Sequence, residues 1–321
     1  MFELEISHPQ VQKGRDKNNN VITKKITKKN HDTDENGNNL QDSDGNEETD
    51  NNLTSTDQTK AAVKIENQVV FPGGKIGLLR KTLESISEVV DHVEIKARAE
   101  GLEMQVMDSL HVVFVDIFLS KNLFDKYRCD RDITLGVKVK SLITILKDLS
   151  FPADSSLHLS CNDDPENLSI CYKSSQYTLN WELSLYSFDN EVFEMPAFDF
   201  QAEVTMYAQQ FMVLPKLIGI FGEFITIEAR KNMITFKQKG DTTAAAMTLE
   251  EGDDKEVEIN VLSEIKKEMA MKYIVIIGKV AGLCSKIKLH LGEETPVFFD
   301  FNLFDLGHMR FYIAPKTETD N

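Results

Sequence analysis

From residue 75 onward two hydrophobic periods alternate along the chain, and the order in which they alternate is itself repeated. Ile76, Leu79, Leu83, Ile86 and Val90 recur at three- and four-residue steps, which predicts a helix over 75–90. Period-two stretches follow at 93–97, 102–107 and 112–119, each predicting a strand. A second helix is expected over 139–149, on Leu142, Ile143, Ile145 and Leu146, and strands resume at 157–161, 168–172 and 177–185. The same order returns at an offset of about 130 residues, with helices near 208–221 and 269–283 among further strands. The last strand, 308–313, alternates polar and apolar residues until Pro315 removes a backbone donor. Self-similarity at a fixed offset means two copies of one unit. Each copy, strand-rich with two helices, predicts an α+β domain: an antiparallel sheet with its helices on one face.

The rest of the chain departs from this pattern. Residues 7–60 are rich in Asn, Asp, Lys and Thr, nearly devoid of aromatics, and basic before they turn acidic; a segment of that kind is expected to be a disordered low-complexity insertion. Its KKITKK run reads either as an import signal or DNA tether, or as a segment with no role. Two stretches compete for the first strand, 1–6 and 63–71, the second followed by the Pro72-Gly73-Gly74 break. The expected organisation is an N-terminal domain over 1–185, a connector over 186–200, a C-terminal domain over 201–316 and an acidic tail, 317–321.

A net charge of −16 argues against nucleic acid spread over the whole surface. Cys129, Cys161, Cys171 and Cys284 are widely spaced and form no CxxC pair, so they are expected to be reduced small hydrophobes of an intracellular protein, not zinc ligands. No apolar run is long enough for a membrane span, and the N-terminus lacks the apolar core of a signal peptide. Asp108, Ser109 and His111 fall close together, but no nucleophile elbow surrounds the serine, and HExxH, P-loop and GxGxxG are absent. Nothing here points to an enzyme.

Three segments carry a more specific signal: MDSLHV at 107–112, YRCDRDITLGVKVKSLITILK at 127–147 and LGHMRFYIAPK at 306–316. In this order they resemble the proliferating cell nuclear antigen family, the ring-shaped DNA sliding clamps of eukaryotes. The resemblance implies two such domains per chain and three chains per ring, a homotrimer encircling duplex DNA in the nucleus. It implies no cofactor. A clamp loader would open the ring, and clients bearing PIP-box motifs (replicative polymerase, flap endonuclease, DNA ligase) would dock on it. Residues 7–60 have no counterpart in the family.

The family's basic helix positions fall on Arg80, Lys81, Lys147, Lys272 and Lys279, which would line the hole and meet phosphate without sequence preference. The third helix keeps Lys216, has Val213 where the family is basic, and carries Pro215, a kink expected to cost ~3 kcal/mol unless compensated. The client pocket would be formed by Met107, His111, Val112 and Phe114, by Phe193 and Met195 of the connector, and by Pro296, Tyr312, Ile313, Ala314 and Pro315. Soft, adaptable side chains suit a groove that accepts many partners. Chains would join edge to edge through strands at 177–185 and 242–249, with Trp181, Ala245 and Met247 at the junction. Lys231 aligns with the family's ubiquitin-accepting lysine. The alternatives are a subunit of a heterotrimeric checkpoint clamp and a damage-response paralogue.

Overall fold

The computed structural model describes residues 1–7, 11–15, 21–25, 74–149, 152, 154–187, 193, 195–252 and 256–316. Of the two candidate first strands, β1 (Phe2–Ser7) is formed, with Phe2, Leu4 and Ile6 buried on one face. Residues 63–71 lie outside the described residues. Within the separate unit Pro9–Gln68, β2 (Val11–Arg15) and β3 (Val21–Lys25) pair as an antiparallel ribbon. The remainder of the low-complexity segment lies outside the described residues.

The first copy continues with α1 (Gly74–Ser87), β4 (His92–Arg98), β5 (Gly101–Met107), β6 (Val113–Ser120), β7 (Lys126–Cys129) and β8 (Ile133–Lys138). It ends with α2 (Val139–Lys147), β9 (Ser156–Cys161), β10 (Asn167–Lys173) and β11 (Thr178–Ser184). The second copy runs β12 (Ala202–Tyr207), α3 (Ala208–Ile218), β13 (Phe224–Arg230), β14 (Met233–Lys239), β15 (Ala244–Glu250) and β16 (Val257–Val261). It closes with β17 (Ile265–Ala270), α4 (Met271–Val280), β18 (Lys286–Leu291), β19 (Val297–Asn302) and β20 (Gly307–Ile313). Element for element the two are the same.

The sheets repeat the duplication. β11-β10-β9-β1-β7 in the first copy matches β20-β19-β18-β12-β16 in the second, and β8-β4-β5-β6 matches β17-β13-β14-β15. One difference separates them. β20 pairs antiparallel with β6, fusing the halves into a nine-stranded sheet, whereas their counterparts β11 and β15 remain edges. The register at the fused seam sets Phe311 opposite Val115, Met309 opposite Ile117 and Ile313 opposite Val113, and all six are buried.

The helices pack side by side in the order α2, α1, α4, α3. Pro215 does not end α3, which runs on to Ile218. Its ring lies against Gly278 of α4, where an added Cβ would sit 3.4 Å from Pro215 Cγ. Among the described residues no helix is long and apolar enough to cross a membrane. Cys161 and Cys284 are buried, while Cys129 and Cys171 are only half-buried; all four are free thiols.

Candidate functional site

The helix row is where the chain's charge changes sign. Glu84 is the only carboxylate within the four helices, against Lys75, Arg80, Lys81, Lys140, Lys147, Lys216, Lys272 and Lys279. Most apolar residues of α1, α2 and α4 are buried, whereas Met212, Val213 and Leu217 of α3 are exposed alongside its cation. Lys147, Lys216, Lys272 and Lys279 are exposed, and Lys81 is half-buried. Two are engaged locally: Lys279 Nζ is 2.9 Å from Glu88, and Lys272 lies 4.6 Å from the ring centre of Tyr273. Arg80 departs most from its expected role. Its Nη1 donates to the carbonyl of Lys147 at 3.4 Å and its Nε lies 3.5 Å from Glu84, so it closes the C-terminal end of α2.

The second site is a cavity of about 880 Å³ on the fused seam. Met107, His111, Val112, Phe114, Met195, Pro296, Tyr312, Ala314 and Pro315 all line it. Ile313 does not. Strand neighbours point to opposite faces, so with Tyr312 turned outward Ile313 is fully buried in the core. Phe193 stands to one side: its ring meets Phe114 edge-on at 5.6 Å and lines an adjoining cavity of about 290 Å³. Lys266, Lys267, Glu268, Glu293, Glu294, Thr295 and Lys316 complete the rim. These polar residues come from β17, the β18–β19 turn and, for Lys316, the segment after β20, and no local pattern in the sequence distinguishes them from ordinary surface.

An aromatic ladder supports the pocket floor. Phe298 stacks on Tyr312 at 4.4 Å with planes 6° apart, and Phe114 and Phe198 flank Tyr312 at 6.0 and 6.1 Å. Phe200 and His290 extend the ladder past Phe298 at 5.7 and 4.8 Å. Burial lowers the pKa of His290 below its ordinary value, although Glu203 pulls the other way. Burial likewise raises the Tyr312 phenol.

The pocket's turn is built on Asp108. Oδ1 of this buried carboxylate accepts from the backbone N–H groups of Val112 and Val113 at 2.7 and 3.0 Å, and Oδ2 from the Tyr273 hydroxyl at 2.7 Å. Burial would raise its pKa, but donation from Val113, Tyr273 and Val112 outweighs that and holds it below the usual carboxylate range. His111 adopts a left-handed φ of 55° and remains exposed, and Ser109 is exposed beside it. Asp108 therefore anchors a turn; with its lone pairs committed to amides and a phenol, it is not the acid of a triad. Beyond Ile313, the Ala314 N–H donates to Val112 at 2.8 Å and the Lys316 N–H to Glu268 at 2.7 Å, so the chain closes the pocket by bypassing Pro315.

At the open edges, Trp181 and Leu183 are half-buried on β11, and Ala245, Met247 and Leu249 are half-buried on β15. Lys231 is exposed in the β13–β14 turn.

The model of the proliferating cell nuclear antigen N-terminal domain matches residues 74–193, and that of the C-terminal domain matches 194–316. The chain is 30% identical over 241 residues to proliferating cell nuclear antigen 2 of Drosophila melanogaster, covering 74% of this chain and 94% of the relative. Identity is 29% over 250 residues to the proliferating cell nuclear antigen of Chaetomium thermophilum, and 28% over 250 to that of Dictyostelium discoideum. Those alignments cover 76% and 75% of this chain and 96% of each relative. The domain match starts at 74; Phe2–Ser7 supplies the remaining strand from across the inserted segment. Nothing in these matches favours a checkpoint-type subunit or a damage-response paralogue. A duplicated sheet, a cationic helix row and a pocket on the seam between the halves agree with both domain matches: this chain belongs to the proliferating cell nuclear antigen family of DNA sliding clamps, which are not enzymes.

Proposed function

We propose that three copies of this chain close head to tail around duplex DNA, with the helix row lining the hole and the seam pocket holding PIP-box clients. One observation carries the reading. A chain with net charge −16 collects cations on four adjacent helices that hold a single carboxylate, as a phosphate-facing surface inside an acidic ring requires. Replicative polymerase, flap endonuclease and DNA ligase are the proposed clients, loaded rings the proposed product of an ATP-driven loader, and the nucleus the proposed compartment. Tethering raises a client's effective concentration at DNA, which is how a ring without chemistry of its own promotes processive synthesis. Lys231 is the proposed acceptor of ubiquitin.

The internal seam is a template for ring closure. Transferring the β20–β6 register to β11 and β15 sets Trp181 opposite Ala245 of the partner subunit, Leu179 opposite Met247 and Leu183 opposite Thr243. A tryptophan then meets an alanine, a large side chain against a small one. Light scattering of the full chain across a dilution series tests the reading: the expected mass is that of three chains. A monomer at every concentration overturns it.

A further inference from the structure

Beside the seam pocket lies the smaller cavity that Phe193 lines, about 290 Å³, with Met107 and His111 common to both. It opens where two strands part. β4 pairs with β8 from His92 to Ala97, but with β5 only from Lys96 to Arg98. Glu94 stands at the parting and lines the cavity. It is 8% exposed, and among the described residues no hydrogen bond or ion pair meets its carboxyl group. Burying such a group costs free energy, because the water it gives up is not replaced. Asp108, the other buried carboxylate at this cavity, has two backbone amides and a phenol in place of water. Glu94 has the cavity itself.

We infer that this cavity receives one cationic side chain, of lysine or arginine, from the client held in the seam pocket, and that Glu94 takes its charged head. This deepens the client reading above and rests on it. Size limits the occupant first. Small-molecule sites typically enclose ~300–1,000 Å³, so the space suits a single side chain better than a separate ligand. Position limits it next: with Met107 and His111 shared, a chain lying in the seam pocket is already at the entrance. The chemistry of the walls decides the rest. Val90, Val106 and Phe193 offer cover for an aliphatic stem, and Glu94 offers acceptors to the donors at its tip. Lys96 is the one lysine or arginine among the lining residues, against two carboxylates, Glu94 and Asp108. A client without the cation leaves Glu94 unmet, so the cavity ranks clients by a residue outside the motif that fills the pocket.

The probe is a fluorescently labelled PIP-box peptide with alanine flanks, together with a series carrying one arginine at each flanking position in turn. Anisotropy with the full chain should find a position where arginine tightens binding about tenfold over the alanine parent. Buried pairs are screened far less than exposed ones, so the gain should survive 1 M NaCl, where the screening length is about 3 Å. Glu94→Gln, which keeps the shape of the side chain, should abolish the gain, and far-ultraviolet circular dichroism verifies that it folds. An equal gain in wild type and Glu94→Gln would overturn the site, because arginine would then be answering the overall charge of the clamp. No gain at any position would overturn it too, and would spare the client reading. A parent peptide that fails to bind would overturn both. Stability gives a readout that needs no client. Glu94→Met replaces an unmet carboxyl group by an apolar side chain and should raise the melting temperature. A lower melting temperature would mean that Glu94 already has its partner within the chain, and would overturn the site.

Discussion

The hydroxyl of Tyr273 donates to Asp108 across 2.7 Å, joining a helix of the cationic row to the turn that shapes the seam pocket. The two residues belong to different halves of the chain, so the bond also crosses the fused seam. Tyr273→Phe removes one of three donors to Asp108 and is expected to cost about 1–2 kcal/mol, seen as a melting temperature lower by ~2–4 °C. Asp108→Ala strands two backbone N–H groups and should cost more while weakening client-peptide binding. An unchanged melting temperature in both variants would refute this role.

Asp108 also predicts behaviour in acid. Its folded pKa lies below the ordinary carboxylate value, so its contribution is complete above pH ~4 and is lost as pH falls through the folded value. His290 acts at milder pH. Its folded pKa is depressed below 6.5, so the unfolded chain takes up the proton first, and stability declines as pH falls through 6.5. His290→Phe keeps a ring in the ladder and removes the titration. Melting temperature plotted from pH 7.5 to 5 should fall less steeply in this variant than in wild type, and parallel curves would count against the assignment.

Client binding should depend on the stacked pair at the pocket floor. Tyr312→Ala removes the ring that lies flat on Phe298 and is expected to weaken a PIP-box peptide tenfold or more, about 1.4 kcal/mol. Phe193→Ala should have the smaller effect, since its ring packs on Phe114 from the side. Fluorescence anisotropy with a labelled peptide gives both numbers, and equal losses would mean that Phe193 enters the pocket when a client is bound.

DNA affinity should show the signature of phosphate contacts. Replacing Lys147 or Lys272 by alanine is expected to lower affinity uniformly across sequences and to reduce the slope of log K against log salt by about 1 for each contacting lysine. Arg80→Ala should instead lower stability, because its guanidinium is spent on the end of α2. Salt titrations of the three variants separate these outcomes.

The subunit register is open to direct chemical test. A chain carrying Leu179→Cys and Met247→Cys places two thiols on directly opposed residues, within the Cα spacing of about 4.4–6.8 Å that a disulfide requires. Covalent trimers are expected on a non-reducing gel. Leu179→Cys with Ala245→Cys is a diagonal pair ~7–8 Å apart and should cross-link poorly. The reverse pattern would shift the register by two residues.

Much of this was legible in the chain itself, for identifiable reasons. Helix and strand periods place α1, α2 and most strands within a few residues, because each element buries one regular face. The duplication was visible because those faces recur in one order. What lay beyond local pattern depends on contacts between distant segments. Ile313 and Tyr312 are adjacent in sequence but belong to core and pocket, a choice made by strand phase. Arg80 looks like a phosphate ligand until α2 ends within its reach. Pro215 reads as a break, yet α3 runs on past it to Ile218. Lys266, Lys267 and Glu293 become pocket rim only when β17 and the β18–β19 turn fold beside β20.

The placing of β1 has a cost in time. Phe2–Ser7 is held between β7 and β9, and its backbone partners include Cys129 on one side and Cys161 on the other. A ribosome adding 5–20 residues per second needs on the order of 10–30 s to make the ~150 residues between β1 and β9. Until then Phe2, Leu4 and Ile6 lack at least one of their two partner strands. A strand at the start of the chain thus waits for a partner made much later, and during synthesis its apolar face is a site of exposure to aggregation until β9 arrives.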